Sequence, residues 1–188
     1  RAGNIFRGRI AEEAGINTID GDYMGMTGTI INLKAVSSIL NKLGVENLLM
    51  SSLALEDVAP KYDLNKAKEA YDKGIVVLFA GGLGRPKITT DTTVAKRALE
   101  MNADVILAGK NGVDGVYTAD PNKDKNAKFI KNISYSDVLK NNLKVMDKEA
   151  IELLKESDIA TRVFSMEEMD NFIKVIKGDD LGTTITKE

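Results

Sequence analysis

The sequence predicts an α/β fold built on an open, mostly parallel sheet with helices on both faces. Short apolar runs alternate with segments of helical periodicity along the chain, which is the pattern of successive strand–helix units. Of the 188 residues, 43% are hydrophobic and 29% are charged, a globular composition. No repeat, low-complexity segment or Pro/Ser-rich linker divides the chain, so we predict one domain over residues 1–188, with two small domains as the alternative.

The first half of the chain alternates helix and strand twice. Apolar residues at helical spacing predict a helix over 29–43, and Leu48, Leu49 and Met50 predict a short strand after it. Asp63 is a candidate N-cap for a second helix over 64–73. The continuous apolar run that follows predicts the next strand, over 75–79.

The second half continues the alternation after one interruption. A long polar stretch at 109–128 exceeds ordinary connections, which favours a functional loop or a hairpin excursion. The predicted elements around it are a helix after Thr92, a strand at 105–107, a helix capped by Asp147, a strand at 162–164, a helix opened by a capping box of Ser165 and Glu168, and a final strand at 183–186.

Three absent residue types exclude several kinds of chemistry. The chain has no Cys, His or Trp, which excludes disulfides, thiolate nucleophiles, zinc–thiolate sites, imidazole ligands and Ser–His–Asp triads. The functional groups that remain for catalysis or binding are carboxylates, lysines, arginines, hydroxyls and backbone amides. Phosphoryl transfer fits that set, because there the protein mostly positions groups and neutralises charge.

Charge and hydropathy limit the kinds of partner that the protein can have. The 26 basic and 28 acidic residues give a net charge of −2 with no long basic run, which argues against nucleic-acid binding. No apolar run approaches the ~20 residues that span a bilayer, and no signal peptide opens the sequence. We therefore expect a cytoplasmic protein without a membrane partner.

The strongest local pattern is the glycine-rich segment 81–92, which runs into a predicted helix start. Glycines let the backbone approach a ligand closely, and a helix amino terminus offers unpaired N–H groups that suit a phosphate. Threonine hydroxyls and two basic side chains in the segment add donors. A plain strand-to-helix turn with Asp91 as an ordinary N-cap explains the same residues equally well.

Two further segments carry weaker signals. Arg7 lies between glycines, where a guanidinium can bind phosphate oxygens bidentately, but a solvated surface arginine is the alternative. The segment 20–26 holds two carboxylates and two glycines just ahead of the predicted helix. Its Asp22 could accept hydrogen bonds from ribose hydroxyls, or it could simply complement the helix dipole.

The segment 113–121 combines an Asp-Gly turn, an aromatic ring and an aspartate fixed before proline. Tyr117 is placed to lie against a base and Asp120 to bind a nucleotide. A β-hairpin with a core tyrosine is the alternative, since Asp-Gly is a strong hairpin signal.

Together these segments resemble the bacterial UMP kinases (uridylate kinases) of the amino-acid-kinase family, over essentially the whole chain. Each match is weak alone, whereas six in the family's order are highly specific. The matching segments are Gly3-Asn4-Ile5-Phe6-Arg7-Gly8, Gly21-Asp22-Tyr23-Met24-Gly25-Met26, Thr89-Thr90-Asp91, Val113-Asp114-Gly115-Val116-Tyr117-Thr118-Ala119-Asp120-Pro121, Lys144-Val145-Met146-Asp147 and Gly182-Thr183-Thr184-Ile185.

The resemblance implies a three-layer αβα sandwich that transfers the γ-phosphate of ATP to UMP with Mg²⁺, giving UDP for pyrimidine nucleotide (UTP and CTP) biosynthesis. It also implies a homohexamer, activation by GTP and inhibition by UTP, for which no residues can be named.

The resemblance also implies roles for individual residues. Arg7 is expected to bind nucleotide phosphate and to serve catalysis, Asp22 to bind the UMP ribose, and Asp91 to organise the magnesium-bound reacting phosphates. The remaining expected UMP contacts are Leu83, Gly84, Arg85, Pro86, Lys87, Ile88, Thr89 and Thr90. The expected ATP contacts, besides Arg7, are Asn111, Tyr117 and Asp120.

The chain departs from the family pattern in three places. The family's opening strand with its Lys-x-Ser-Gly phosphate loop has no counterpart, so we expect a fragment that lacks the amino-terminal strands and is catalytically impaired by itself. Where the family has Gly-Gly-Gly-Asn, this chain has Arg1-Ala2-Gly3-Asn4. Where the family often has Thr-Gly-Asn-Pro, the sequence is Leu83-Gly84-Arg85-Pro86, one hydroxyl fewer.

Two other functions fit the same fold. One is a non-catalytic nucleotide- or oxyanion-binding protein, such as the molybdenum-storage proteins, and the presence of Arg7, Asp91 and Asp120 weighs against it. The other is an amino-acid kinase of the same family, and the segment 21–26 weighs against that, because an amino-acid acceptor has no ribose.

Overall fold

The computed structural model describes residues 2–6, 11 and 13–188, and it confirms the α/β class. The chain divides into two compact units, residues 1–93 and 94–188. The single domain over 1–188 stays a prediction. Arg7 lies outside the described residues.

The first unit is a parallel pair of strands covered by helices. Its core is formed by apolar side chains of the first helix, both strands and the loop after the first strand, with Ile30, Leu49, Ala59 and Ala80 buried. The elements are α1 (Thr18–Lys42), β1 (Asn47–Ser51), α2 (Leu64–Asp72) and β2 (Val76–Ala80). Strands β1 and β2 are parallel, α1 contacts both, and α2 contacts β2.

Helix α1 begins eleven residues before the predicted start at residue 29. The Asn17 side chain caps it, accepting a hydrogen bond of 3.0 Å from the Asp20 amide. The segment 20–26 is therefore part of the helix, and its predicted position just ahead of the helix is wrong.

Two glycines of this helix, Gly21 and Gly28, allow close packing, whereas Gly25 faces open space. A Cβ on Gly28 would lie 2.8 Å from the Ala2 Cβ, and one on Gly21 would lie 3.2 Å from the Ala11 Cβ. A side chain at these two positions would prevent the segment before the helix from packing so closely against it, so glycine is favoured there despite its cost inside a helix.

The second unit contains a four-stranded sheet and a separate two-stranded ribbon. Its elements are α3 (Thr90–Glu100, which begins in the first unit), β3 (Val105–Lys110), β4 (Val116–Tyr117), β5 (Phe129–Ile130), β6 (Asn132–Ser134), α4 (Tyr135–Lys140), α5 (Lys148–Leu154), β7 (Ala160–Ser165), α6 (Asp170–Ile176) and β8 (Thr183–Thr186). The sheet order is β3-β7-β8-β6, parallel except between β7 and β8, and β4 pairs antiparallel with β5.

The core of the second unit is centred on Tyr135, which is fully buried. Its hydroxyl donates to the Ile159 carbonyl oxygen at 2.9 Å and lies 2.7 Å from the Thr161 hydroxyl, so the buried polar atom is satisfied. Burial raises the pKa of Tyr135, with the Thr161 hydrogen bond acting in the opposite direction.

Two predicted N-caps are confirmed and one capping box is wrong. Asp63 and Asp147 each accept a hydrogen bond from the amide three residues later. Ser165, however, ends β7, and its hydroxyl accepts from the Glu167 amide. Helix α6 starts only at Asp170, without a side-chain cap.

The polar stretch 109–128 is partly strand and partly loop. Strand β3 runs to Lys110, and the hairpin forms between Val116–Tyr117 and Phe129–Ile130. The predicted Asp114-Gly115 turn thus precedes the first strand of the hairpin instead of joining its strands. In the described part of the chain, no helix is long and apolar enough to cross a bilayer.

Candidate functional site

Residues 81–89 form a loop between β2 and α3, called here the glycine loop. Two hydroxyls hold its start. The Gly81 amide donates to the Thr29 Oγ1 of α1 at 2.8 Å, and the Ser52 Oγ, just after β1, donates to the Gly82 carbonyl at 2.8 Å. The loop is thereby fastened to α1 and to the end of β1.

The first glycine of the loop is required by space and by backbone conformation. Gly81 has φ +72°, and a Cβ there would lie 2.5 Å from the Ser51 Oγ and 2.8 Å from the Leu53 amide nitrogen. Gly84 has φ +71°, and its Cβ would lie 3.0 Å from the Ser52 carbonyl oxygen. Side chains at these positions would push the loop off the end of β1.

A carboxylate of α1 reaches the far side of the glycine loop. The Asp22 Oδ2 accepts a hydrogen bond of 2.7 Å from the Lys87 amide, joining segments 65 residues apart. Lys87 has φ +62°, a left-handed conformation that non-glycine residues rarely adopt. The structure therefore brings Asp22 to the loop that the resemblance assigns to UMP.

The loop ends in the first turn of α3. The Thr89 hydroxyl accepts from the Thr92 amide at 3.1 Å, and the Thr93 hydroxyl donates to the Thr89 carbonyl at 2.9 Å. Thr89 thus occupies the capping position, and the alternative of Asp91 as the N-cap is wrong. Asp91 is a partly exposed acid in the first turn, where the helix dipole favours negative charge. Thr90 is exposed beside it.

A second candidate region lies in the second unit, beside the β4–β5 ribbon. It is an open cleft of about 270 Å³, called here the ribbon cleft. Glu167 accepts a hydrogen bond of 3.2 Å from the Gly112 amide across it. The lining residues are Gly112, Val113, Asp114, Tyr117, Pro121, Ser165 and Glu167.

Tyr117 presents an aromatic ring to the ribbon cleft. Its hydroxyl donates to the Asp114 Oδ1 at 2.7 Å, and its ring packs edge-on against Phe129 at 5.5 Å between centroids. The hydrogen bond to Asp114, then partial burial and then the Asp114 charge raise the pKa of Tyr117. The ring is half-buried, so it is held in place yet accessible.

The other two expected ATP contacts flank the cleft without lining it. Asn111 and Asp120 are exposed and directly precede the lining residues Gly112 and Pro121. The Asp120 Oδ1 accepts from the Asn122 amide at 3.0 Å, and its Oδ2 lies 3.7 Å from the Lys123 ammonium.

Four residues that organise these regions were not predicted. Thr29 and Ser52 hold the glycine loop, and Asp114 holds the Tyr117 hydroxyl. Thr183 was predicted only as a strand residue within the matching segment 182–185, yet its buried hydroxyl bonds to both strands of the ribbon. Ser52 alone carried a usable signal, as a polar residue at the carboxyl end of a parallel strand.

Comparison with known proteins agrees with the resemblance. The sequence profile of the amino acid kinase family matches residues 2–165. The uridylate kinases of Arthrobacter sp. (strain FB24) and Bifidobacterium longum (strain NCC 2705) are each 42% identical over 184 residues, covering 98% of this chain and 75% of theirs.

Solved structures give the same result. The UMP kinase of Bacillus anthracis superposes with a TM-score of 0.94 at 39% identity, covering all of this chain and 77% of that one. The UMP kinase of Ureaplasma parvum gives a TM-score of 0.93 at 37% identity, covering 99% of this chain and 79% of that one.

Proposed function

The chain belongs to the amino acid kinase family and, within it, to the uridylate kinases, and from this premise we propose that it transfers the γ-phosphate of ATP to UMP. The observation that carries the proposal is the hydrogen bond of 2.7 Å between the Asp22 carboxylate and the Lys87 amide. It supports one acceptor site made from two segments that are distant in sequence.

UMP is the acceptor in this proposal, and the glycine loop binds it. The Asp22 carboxylate uses Oδ2 for Lys87, and an ionised carboxylate has about four acceptor positions, so it retains capacity for ribose hydroxyls. The UMP phosphate lies toward Thr90 and the first turn of α3, where the dipole favours an anion. Residues 83–90 form the remainder of this site.

ATP is the donor and binds beside the ribbon. The Tyr117 ring offers a face of the ribbon cleft for the base, while Asn111 and Asp120 at its rim supply polar contacts. Arg7 is proposed as a phosphate ligand from the resemblance alone, since it lies outside the described residues.

The proposed reaction forms a bond between a UMP phosphate oxygen and Pγ and breaks the bond from Pγ to the bridging oxygen of ADP. Mg²⁺ bound with ATP would neutralise phosphate charge. Among the described residues no three carboxylates gather into a metal-binding group, and nucleotide-bound Mg²⁺ needs only one or two carboxylates. The first-turn acid Asp91 fits that need and is proposed to orient the reacting phosphates.

The same premise supports further proposals without assigned residues. These are a homohexamer, activation by GTP, inhibition by UTP, and a cytoplasmic role in pyrimidine nucleotide biosynthesis. They rest on the resemblance.

The test of the proposal is the selectivity of the kinase reaction for its acceptor. With Mg²⁺ and ATP, we expect ADP formation that depends on UMP and exceeds the rates with CMP, AMP, aspartate and glutamate. ATP binding without turnover would support the non-catalytic alternative, and turnover with an amino acid would support the other kinase alternative. Either result would overturn the proposal.

A further inference from the structure

We propose that Thr183 is the positioning residue of the ATP site, because its side chain fixes the β4–β5 ribbon that carries Tyr117. The inference rests on the proposed function, in which ATP binds beside this ribbon. Thr183 lies at the start of β8, at the centre of a sequence motif whose role had no explanation beyond strand formation.

One hydroxyl group bridges the two strands of the ribbon. The Thr183 Oγ1 accepts from the Val116 amide at 2.8 Å and donates to the Ile130 carbonyl at 2.5 Å. Val116 and Ile130 are cross-strand partners. Thr183 is fully buried, so water cannot replace either bond.

The ribbon is short, so its attachments to the rest of the unit matter. Its strands pair at Val116 with Ile130 and at Tyr117 with Phe129, with one further backbone bond from the Thr118 amide to the Lys128 carbonyl. A two-stranded ribbon of this length is marginally stable by itself, and it is held by core packing of Val116 and Ile130 together with the Thr183 hydroxyl. A Cβ on Gly115 would lie 2.6 Å from both the Thr183 Oγ1 and the Phe129 ring. The chain just before Val116 therefore lies directly against the Thr183 hydroxyl.

The turn that delivers Thr183 is itself held firmly. The Arg162 guanidinium donates to the carbonyls of Asp179 and Leu181 at 3.1 Å and 3.0 Å. The Lys131 ammonium lies 2.8 Å from the Asp180 carboxylate. These contacts fix the turn that precedes β8, and so they fix where the Thr183 hydroxyl lies against the ribbon.

Tyr117 follows Val116 in β4, so the Val116 bond sets the backbone from which the ring projects. Without the hydroxyl, the buried Val116 amide would lose its acceptor at 2.8 Å and the Ile130 carbonyl would lose a donor, and losing hydrogen bonds in a buried place is costly. The ribbon would then be held less firmly, and the ring would leave its place against the ribbon cleft. Thr183 thus acts on the nucleotide through Tyr117 and does not touch it.

The test compares Thr183→Val, which keeps the shape and loses both hydrogen bonds, with Thr183→Ser, which keeps the hydroxyl. We expect Thr183→Val to raise the Kd and KM for Mg-ATP about tenfold, equivalent to about 1.4 kcal/mol. The KM for UMP should stay within about twofold, and Thr183→Ser should restore most of the ATP affinity. Thr184→Val is the matched control, since the Thr184 hydroxyl makes no side-chain hydrogen bond within the described residues.

Two further measurements separate positioning from general damage. Hydrogen exchange at the Val116 amide should accelerate in Thr183→Val and not in Thr184→Val. If Thr183→Val is too unstable to purify, Arg162→Met loosens the same turn from outside the ribbon. It should raise the Kd for ATP by roughly threefold or more while leaving the KM for UMP unchanged.

The outcomes distinguish a failure of the positioning role from a failure of the proposed kinase activity. Wild-type ATP affinity in Thr183→Val, or equal losses for ATP and UMP, would overturn the positioning role. The same holds if the wild-type protein fails to bind ATP. If ATP binds, responds to Thr183→Val as expected and yet no UDP forms, the positioning role stands and the proposed kinase activity is wrong.

Discussion

Replacing Asp22 by asparagine tests whether the carboxylate recognises the acceptor nucleotide. The Asp22 Oδ2 lies 2.7 Å from the Lys87 amide, the short distance typical of a charged acceptor. Asparagine keeps an oxygen for that amide and removes the charge. Hydrogen bonds to charged groups contribute about 1.5–3 kcal/mol, and because Asp22 is half-exposed the lower end applies.

We therefore expect Asp22→Asn to raise the KM for UMP roughly tenfold, the equivalent of about 1.4 kcal/mol. The KM for Mg-ATP should be unchanged. Asp22→Ala should be worse, since it also leaves the Lys87 amide without its acceptor. The assay is ADP release coupled to NADH oxidation, with UMP varied at saturating Mg-ATP.

Asp20→Asn is the matched control. Asp20 is an exposed acid in the first turn of the same helix, and its replacement removes the same charge. The helix dipole acts mainly on the first turn, so Asp20→Asn should lose about 0.3–1 kcal/mol of stability and Asp22→Asn no more than that. If the Asp22 charge acts only through the dipole, neither variant should change the KM for UMP. Equal KM values for the two variants would refute the assignment of Asp22 to the nucleotide.

Three more predictions follow from the same geometry. Asp91→Asn should lower kcat by roughly 100-fold while the KM for UMP changes little, and an unchanged kcat would remove it from catalysis. Gly81→Ala should lower the free energy of unfolding, measured in urea, by at least about 1 kcal/mol more than Gly44→Ala does. Both glycines have a left-handed φ, but only a Cβ at position 81 would come within 2.5 Å of a serine hydroxyl. The pKa of Tyr117 is raised above its ordinary value of 10.0, so the neutral hydroxyl stabilises the folded protein fully below pH 10.0. This stabilisation is lost as the pH rises through the raised pKa. Asp114→Asn should move the tyrosinate absorbance midpoint of Tyr117 down toward 10.0, and an unmoved midpoint would show that the hydrogen bond is not the cause.

The strands were the most predictable part of the fold. The runs at 48–50 and 183–186 appear as Asn47–Ser51 and Thr183–Thr186, since apolar or β-branched runs between turn signals have few alternatives. The start of α1 was not predictable, because Gly21 and Gly28 are accommodated by contacts with Ala11 and Ala2 that no local pattern records. The strand at Asn132–Ser134 is too short to carry periodicity.

The candidate site divides in the same way. Glycines and the first-turn acid of α3 identified the glycine loop, because backbone approach and helix dipoles restrict residue type locally. The Thr29 hydroxyl gave no comparable signal, since its partner, the Gly81 amide, is 52 residues away, and Ser52 gave only the general signal of a polar residue after a parallel strand. Thr183 is the clearest case: in sequence it is an ordinary strand threonine, and only the tertiary structure shows what its side chain joins.

The way the glycine loop is fastened bears on sugar selectivity in the proposed acceptor site. Thr29, Ser52 and Asp22 hold the loop through hydrogen bonds within the protein, so a nucleotide bound there as proposed would spend little binding energy on ordering the loop. In that site a deoxyribose would leave the Asp22 carboxylate without the hydroxyl it is proposed to bind. Ribonucleotides should then be favoured, because a buried polar group left unpaired costs affinity.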